Sequence, residues 1–197
     1  GDVVDFHGVG LGALAGGKGE FVLLDGSGWL TDGDGNVSPL EATTSLFYFG
    51  VMSHYAPSGR ASLSKQVGCL ANLNDVLNEL VGKDDTERMA VFRLEGRFQT
   101  VKFVYDDPFH PEPQTLTDVD GTIIGTKAGA YVTGDAFTSG GIEIGLTEYP
   151  SHAHFVTDDR KAVGHVLDCS ISEGAVEWAL ADTYDLRLPF SGEAKAQ

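Results

Sequence analysis

The sequence predicts a strand-dominated fold with one main amphipathic helix, divided between two lobes. Three observations carry that expectation. The 26 glycines gather at turns, in GVGLG (8–12), GG (16–17), DGDGN (32–36) and GG (140–141). The stretches between them are short and rich in β-branched and aromatic residues, the composition of strands. A single long segment carries apolar residues at helical spacing. The 197 residues suit one domain or two small lobes sharing a core, because domains run to about 100–200 residues. An apolar content of 42%, with 11 Phe, 6 Tyr and 2 Trp, supplies a core and excludes global disorder.

In chain order, strands are expected at FVLLD (21–25), LFYFGVM (46–52), MAVFRLEG (89–96), FQTVKFVYD (98–106), GTIIGT (121–126), GIEIGL (141–146), HAHFV (152–156) and GHVLDCSI (164–171). From Ser62 to Val81, Leu63, Val67, Leu70, Leu73, Leu77, Leu80 and Val81 recur every three or four positions before Gly82. That spacing predicts a helix over 62–82. Residues 174–182 are a shorter, ambiguous candidate for a second. DPFHPEPQTLTDV (107–119) holds three of the seven prolines and reads as an extended connector. It divides an N-terminal lobe (1–107) containing the helix from a β-rich C-terminal lobe (108–197).

Lys and Arg number 13 against 29 Asp and Glu, a formal charge of −16. Phosphate backbones and anionic lipid surfaces repel such a chain, so neither nucleic acid nor membrane is an expected partner. No run approaches the length of a membrane span, and GDVVDFHG lacks the basic and apolar regions of a signal peptide. A soluble, cytoplasmic protein is expected, with secretion the alternative if a leader has been removed ahead of Gly1. Cys69 and Cys169 form neither a disulfide framework nor a CxxC site and read as buried thiols.

The chemistry concentrates in SHAHFVTDDRKAVGHVLD (151–168). Residues two apart on a strand share a face, so His152 and His154 project together. If Asp158 to Lys161 form a hairpin turn, paired residues have numbers summing to 319 and His154 lies opposite His165. Opposed Cβ atoms lie about 4.5–5.5 Å apart and imidazole nitrogens bind Zn²⁺ at about 2.0–2.1 Å, so the three rings can share one ion. Three protein ligands leave a coordination position open, the pattern of a catalytic zinc. The alternative is a surface strand that happens to be His-rich. Other motifs are weaker. GVGLG has no preceding strand of a βαβ unit and no basic residue for phosphate. DGDGN would be a calcium loop only with Glu at its twelfth position, where Thr43 stands, so a turn is expected. His7, His54 and His110 are isolated, although His54, in FYFGVMSHY, is a candidate pocket residue. Asp168 is a candidate acceptor for a ligand histidine's N–H.

On these residues the sequence resembles the alpha-acetolactate decarboxylase family. HxHFxxDDRxxxGHVLD, His152 to Asp168, is similar to that family's zinc hairpin, and GVGLGALAGGKGE, Gly8 to Glu20, to its GxGLGTF…LDGE segment. RLEGRF (93–98) and GTIIGTKAGAY (121–131) are similar to its R-[IV]-[DE]-G-x-F and GTxxGFRxPxY stretches. The resemblance implies an α+β fold of two lobes on mixed and antiparallel sheets, and a homodimer whose sheet continues across the interface. It implies one Zn²⁺ on His152, His154 and His165, and a lyase that takes CO₂ from a 2-hydroxy-3-oxo acid such as 2-acetolactate through a metal-stabilised enediolate. Glu20 occupies the Glu of LDGE and is the implied proton donor. Two departures stand out. The family's active-site Arg falls on Val104, leaving Lys102, two residues earlier on the same strand face, as the available cation. The family's late C-terminal Glu has only Glu193 as a counterpart. An isomerase or cyclase of a hydroxyketone using the same enediolate chemistry, or a silent zinc-binding module, are the competing readings.

Overall fold

A computed structural model describes residues 8–14, 19–41, 47–63, 67–68, 77–80, 89–105, 112–127, 151–181 and 183. Its strands are β1 (Val9–Leu14), β2 (Gly19–Leu24), β3 (Ser27–Asp32), β4 (Val37–Pro39), β5 (Phe47–Ser53), β6 (Gly59–Leu63), β7 (Val67–Gly68), β8 (Ala90–Val104), β9 (Gln114–Lys127), β10 (Ser151–Thr157) and β11 (Val163–Leu180). They build a small sheet, β4-β3-β2-β1-β5, and a large one, β10-β9-β8-β11-β6, with β7 also on β11. Every pairing among the described residues is antiparallel.

Turn chemistry sets the small sheet. Leu24 faces Ser27, so Asp25-Gly26 is a two-residue loop, and both residues are left-handed at φ 50° and 82°. This is the Asp-Gly hairpin turn that matches strand twist. DGDGN closes β3 onto β4 as a turn, as its sequence suggests: Asp32 Oδ1 accepts from Asp34 N at 3.0 Å and Asn36 N at 2.8 Å. The expected strands at 21–25 and 46–52 are β2 and β5.

In the large sheet, MAVFRLEG and FQTVKFVYD are one continuous strand, β8, paired with β9 from Ala90↔Lys127 to Phe103↔Gln114. The expected boundary at 107/108 therefore falls between two strands of one ladder, and 114–119 of the proline-bearing stretch belong to β9. β10 pairs with β9 and also with β11, which closes β10-β9-β8-β11 into a barrel. Phe92, Phe98, Phe103, Ile123 and Phe155 fill it, with Phe98 edge-on to Phe155 at 5.4 Å. GTIIGT gives those rings room: a Cβ on Gly121 would lie 2.5 Å from the Phe155 ring, and one on Gly125 2.2 Å from Phe92. Each buried Phe is worth about 1.5–3 kcal/mol of transfer free energy. A second core joins the sheets, Val9, Leu11, Val22 and Leu24 of the small one meeting Val91, Ile124, Val156 and Val163. Thr31 Oγ1 donates across it to the Val163 carbonyl at 2.7 Å.

The expected helix over 62–82 is corrected at its start. Ser62 and Leu63 belong to β6 and Val67 and Gly68 to β7, all paired with β11; helix is found at 77–80, with Leu77 fully buried. Residues 64–66, 69–76 and 81–82 lie outside the described residues. The long edge of β11 supplies ladder hydrogen bonds that outweigh the segment's helical spacing. The same holds for the helix considered at 174–182, where Gly174 to Leu180 are strand, held by β8 on one side and β6 on the other. Cys169 is disulfide-bonded rather than a thiol. GIEIGL and Cys69 fall outside the described residues, and among those described no helix is long and apolar enough to cross a membrane.

Candidate metal centre

The β10–β11 hairpin has the register its numbering predicts: His154 faces His165, Phe155 faces Gly164 and Val156 faces Val163. Its turn is built from DDRK. Thr157 N donates to Ala162 O at 3.0 Å, Thr157 Oγ1 accepts from Lys161 N and Ala162 N at 3.0 and 3.1 Å, and Arg160 is left-handed at φ 59°. Arg160 also stacks over Trp29 of β3 at 4.2 Å, which ties the turn to the small sheet. On β10, Ala153 and Phe155 enter the barrel and His152 and His154 take the opposite face, next to Thr126 and Ile124 of β9.

The three rings converge there. His152 Nε2 lies 3.1 Å from His154 Nε2 and 3.0 Å from His165 Nδ1. One ligand nitrogen from each ring falls within 4.8 Å of the others. His154 Nδ1 is 3.1 Å from the Phe21 carbonyl, which can only accept, so Nδ1 carries the proton and Nε2 turns a lone pair to the shared point. Burial holds all three imidazoles below their ordinary pKa, His165 at about 4. They are neutral at pH 7, as metal ligands must be.

Glu20, near the start of β2, completes the cluster. Gly19 before it has φ 137°, and a Cβ there would lie 1.7 Å from the Thr31 carbonyl, so only glycine lets β2 lie this close to β3. The Glu20 side chain is 14% exposed, its Oε2 stands 3.6 Å from His154 Nε2, and that oxygen has no hydrogen-bond partner among the described residues. Burial raises its pKa to about 8. A buried carboxyl oxygen without a partner is costly, and here it stands beside the His154 nitrogen whose lone pair is turned to the cluster. Tetrahedral zinc ligands at the usual bond lengths stand about 3.3 Å apart, close to the 3.1 and 3.0 Å that separate His152 Nε2 from its two neighbours. The residues fit a divalent ion.

The other expected residues are placed differently. Val104 is buried directly beside His165, so an alkyl wall stands where the resemblance puts the family's Arg. Lys102 is exposed on β8, opposite Asp168 and Thr115, and no hydrogen bond or ion pair among the described residues joins it to the histidines. Asp168 does not back a histidine: its Oδ1 accepts from Cys169 N at 2.8 Å, at a bulge in β11. The Phe21 carbonyl takes that part for His154, a role that no side-chain pattern announces. His54 is exposed beyond β5. His7, His110 and Glu193 lie outside the described residues.

The alpha-acetolactate decarboxylase family model matches residues 2–196. The alpha-acetolactate decarboxylase of Methanosarcina mazei is 26% identical over 199 residues, which cover 93% of this chain and 63% of that protein. The Streptococcus thermophilus enzyme of the same name is 24% identical, over 96% of this chain and 79% of its own length. In fold, the acetolactate decarboxylase of Bacillus subtilis subspecies spizizenii matches with a TM-score of 0.80 at 19% identity, over 97% of this chain and 81% of its own. A Staphylococcus aureus protein described as similar to alpha-acetolactate decarboxylase gives 0.79 at 18%, over 100% and 84%. The family match leaves no described element of the fold outside it, and the chain belongs to the alpha-acetolactate decarboxylase family.

Proposed function

We propose that this chain is a zinc-dependent carboxy-lyase acting on a 2-hydroxy-3-oxo acid, 2-acetolactate to acetoin or a larger relative. The observation that carries the reading is the buried, unpartnered Glu20 Oε2 beside the histidine cluster. His152 Nε2, His154 Nε2 and His165 Nδ1 would hold the ion, which supplies Lewis-acid stabilisation of the charge that develops on the substrate's oxygens. Glu20 supplies the proton. When the bond to the carboxylate breaks, CO₂ leaves, the electron pair stays on the substrate, and the Glu20 carboxyl delivers a proton to that carbon before recovering one from water. In the metal-free site burial raises its pKa to about 8, which favours the protonated carboxyl that a proton donor needs. The Phe21 carbonyl fixes the His154 tautomer and the small sheet shields the cluster from water.

Val104 supports a shift in substrate. An alkyl side chain offers no fork of donors to a carboxylate, so the site favours a bulkier 2-hydroxy-3-oxo acid than 2-acetolactate, with Lys102 a remote point charge. We also propose a homodimer, for which β5 ends the small sheet and Met52 on it is the large apolar residue exposed among those described. Release of CO₂ from 2-acetolactate and its longer homologues, by zinc-loaded and chelator-stripped protein, tests the reaction. Turnover that requires metal supports the proposal; a zinc-loaded protein that isomerises a hydroxyketone without releasing CO₂ overturns it.

A further inference from the structure

Cys169 lies on β11 in the barrel core and is disulfide-bonded. The chain has two cysteines, Cys69 and Cys169, so within one chain Cys169 has a single possible partner. Strand register points the same way. On the β7–β11 ladder Val67 faces Ile171 and Gly68 faces Ser170, so the last described pair is the sequence neighbour of both cysteines. Opposed Cβ atoms on neighbouring strands lie about 4.5–5.5 Å apart and a disulfide needs about 3.5–4.5 Å, a short closure.

We infer that Cys69 and Cys169 form an intrachain disulfide and that this protein folds and works in an oxidising compartment. The bond forms when the two thiols give up two protons and two electrons to a disulfide oxidant, which leaves as the dithiol. Its position suits a structural bond. Cys169 is 3% exposed, shut away from exchanging thiols, and the covalent loop from 69 to 169 encloses β8, β9, β10 and all three histidines of the cluster. Cross-linking a loop of this length chiefly restricts the unfolded chain, and such bonds persist outside the reducing cytosol. The cytoplasmic expectation gives way to its alternative, a secreted protein. This inference does not depend on the proposed reaction.

Peptide mapping tests it. Full-length protein collected from a secretory host is denatured in excess N-ethylmaleimide without reductant and digested with trypsin. The expected product joins residues 66–83 to residues 162–187, with no maleimide on either cysteine until reductant is added. Reduction should then raise the mass by about 2 Da and lower the melting temperature by about 10–15 °C. The melting shift should recur in Cys69→Ser; the wild-type map decides the pairing even if a serine variant fails to fold. Maleimide on both cysteines without reductant, or a Cys169-to-Cys169 linked dimer, overturns the disulfide. Equal melting temperatures for the dithiol and disulfide forms overturn the need for an oxidising compartment.

Discussion

The two faces of strand β10 are built by opposite rules. Inward, Ala153 and Phe155 join Phe92 and Phe98 in a core without polar side chains. Outward, His152 and His154 meet His165 and a carboxyl oxygen with no partner. The inner face is satisfied as it stands; the outer one leaves buried polar atoms that a ligand must complete. Thr31, the cross-strand partner of Glu20, makes the contrast sharper: it is buried more deeply, yet its hydroxyl is bonded to Val163 O at 2.7 Å. The sheet interface can satisfy a polar group, and at Glu20 it does not.

If that contrast is right, the two faces can be broken separately. The largest effect is expected from Glu20→Gln, which keeps shape and removes the proton. Turnover should fall by roughly 10²–10⁴ while zinc content and melting temperature hold. Unchanged turnover in a zinc-replete variant would return Glu20 to a packing role. On the inner face, Phe155→Ala should cost about 3–5 kcal/mol of stability in denaturant titrations, yet the protein that remains folded should still take up metal. Loss of metal without loss of stability would contradict the division.

Proton linkage separates the faces more gently. In metal-free protein the imidazoles have folded pKa values below 6.5, so the unfolded chain binds protons first as pH falls and stability is lost from pH 6.5 downward, the His165 share down to about 4, where it titrates. Glu20 has the opposite sign. Its folded pKa is raised from 4.5 to about 8, so the stability it holds below pH 4.5 is lost as pH rises through that window. Between pH 6.5 and 8 the Glu20 contribution falls by about 2 kcal/mol at 1.36 kcal/mol per unit, while the last of the imidazole contribution, whose unfolded value is 6.5, is still being gained. Denaturant midpoints of the metal-free protein should therefore fall over that range relative to those of Glu20→Gln. A parallel decline in both would remove Glu20 as the cause. The smallest effect is expected from Lys102→Ala, because Lys102 is exposed and unconnected to the cluster; Val104→Arg should raise activity on 2-acetolactate by about one to two decades. A large loss on removing Lys102 would make it part of the site after all.

The histidine cluster was legible because it is local: a period of two and a four-residue turn, Asp158 to Lys161, place all three rings. Glu20 was not legible from spacing, since it reaches the cluster from another sheet more than 130 positions away, and only the family resemblance pointed to it. The Phe21 carbonyl was invisible, a main-chain group that carries no residue code. Strands β2, β5 and β9–β11 follow their β-branched and aromatic runs. At 62–63 and 67–68 the helical period misleads, because strand identity there comes from β11, a hundred residues later, and not from the segment's own periodicity.

Metal content tests the central claim most directly, that the outer face is built around an ion. Purified protein stripped with chelator and titrated with Zn²⁺ should bind one ion per chain, and affinity should weaken on acidification as the imidazoles protonate. His154→Ala should bind none tightly. A chain that takes up no stoichiometric transition metal, or a His154→Ala variant that binds as the parent does, would contradict the account.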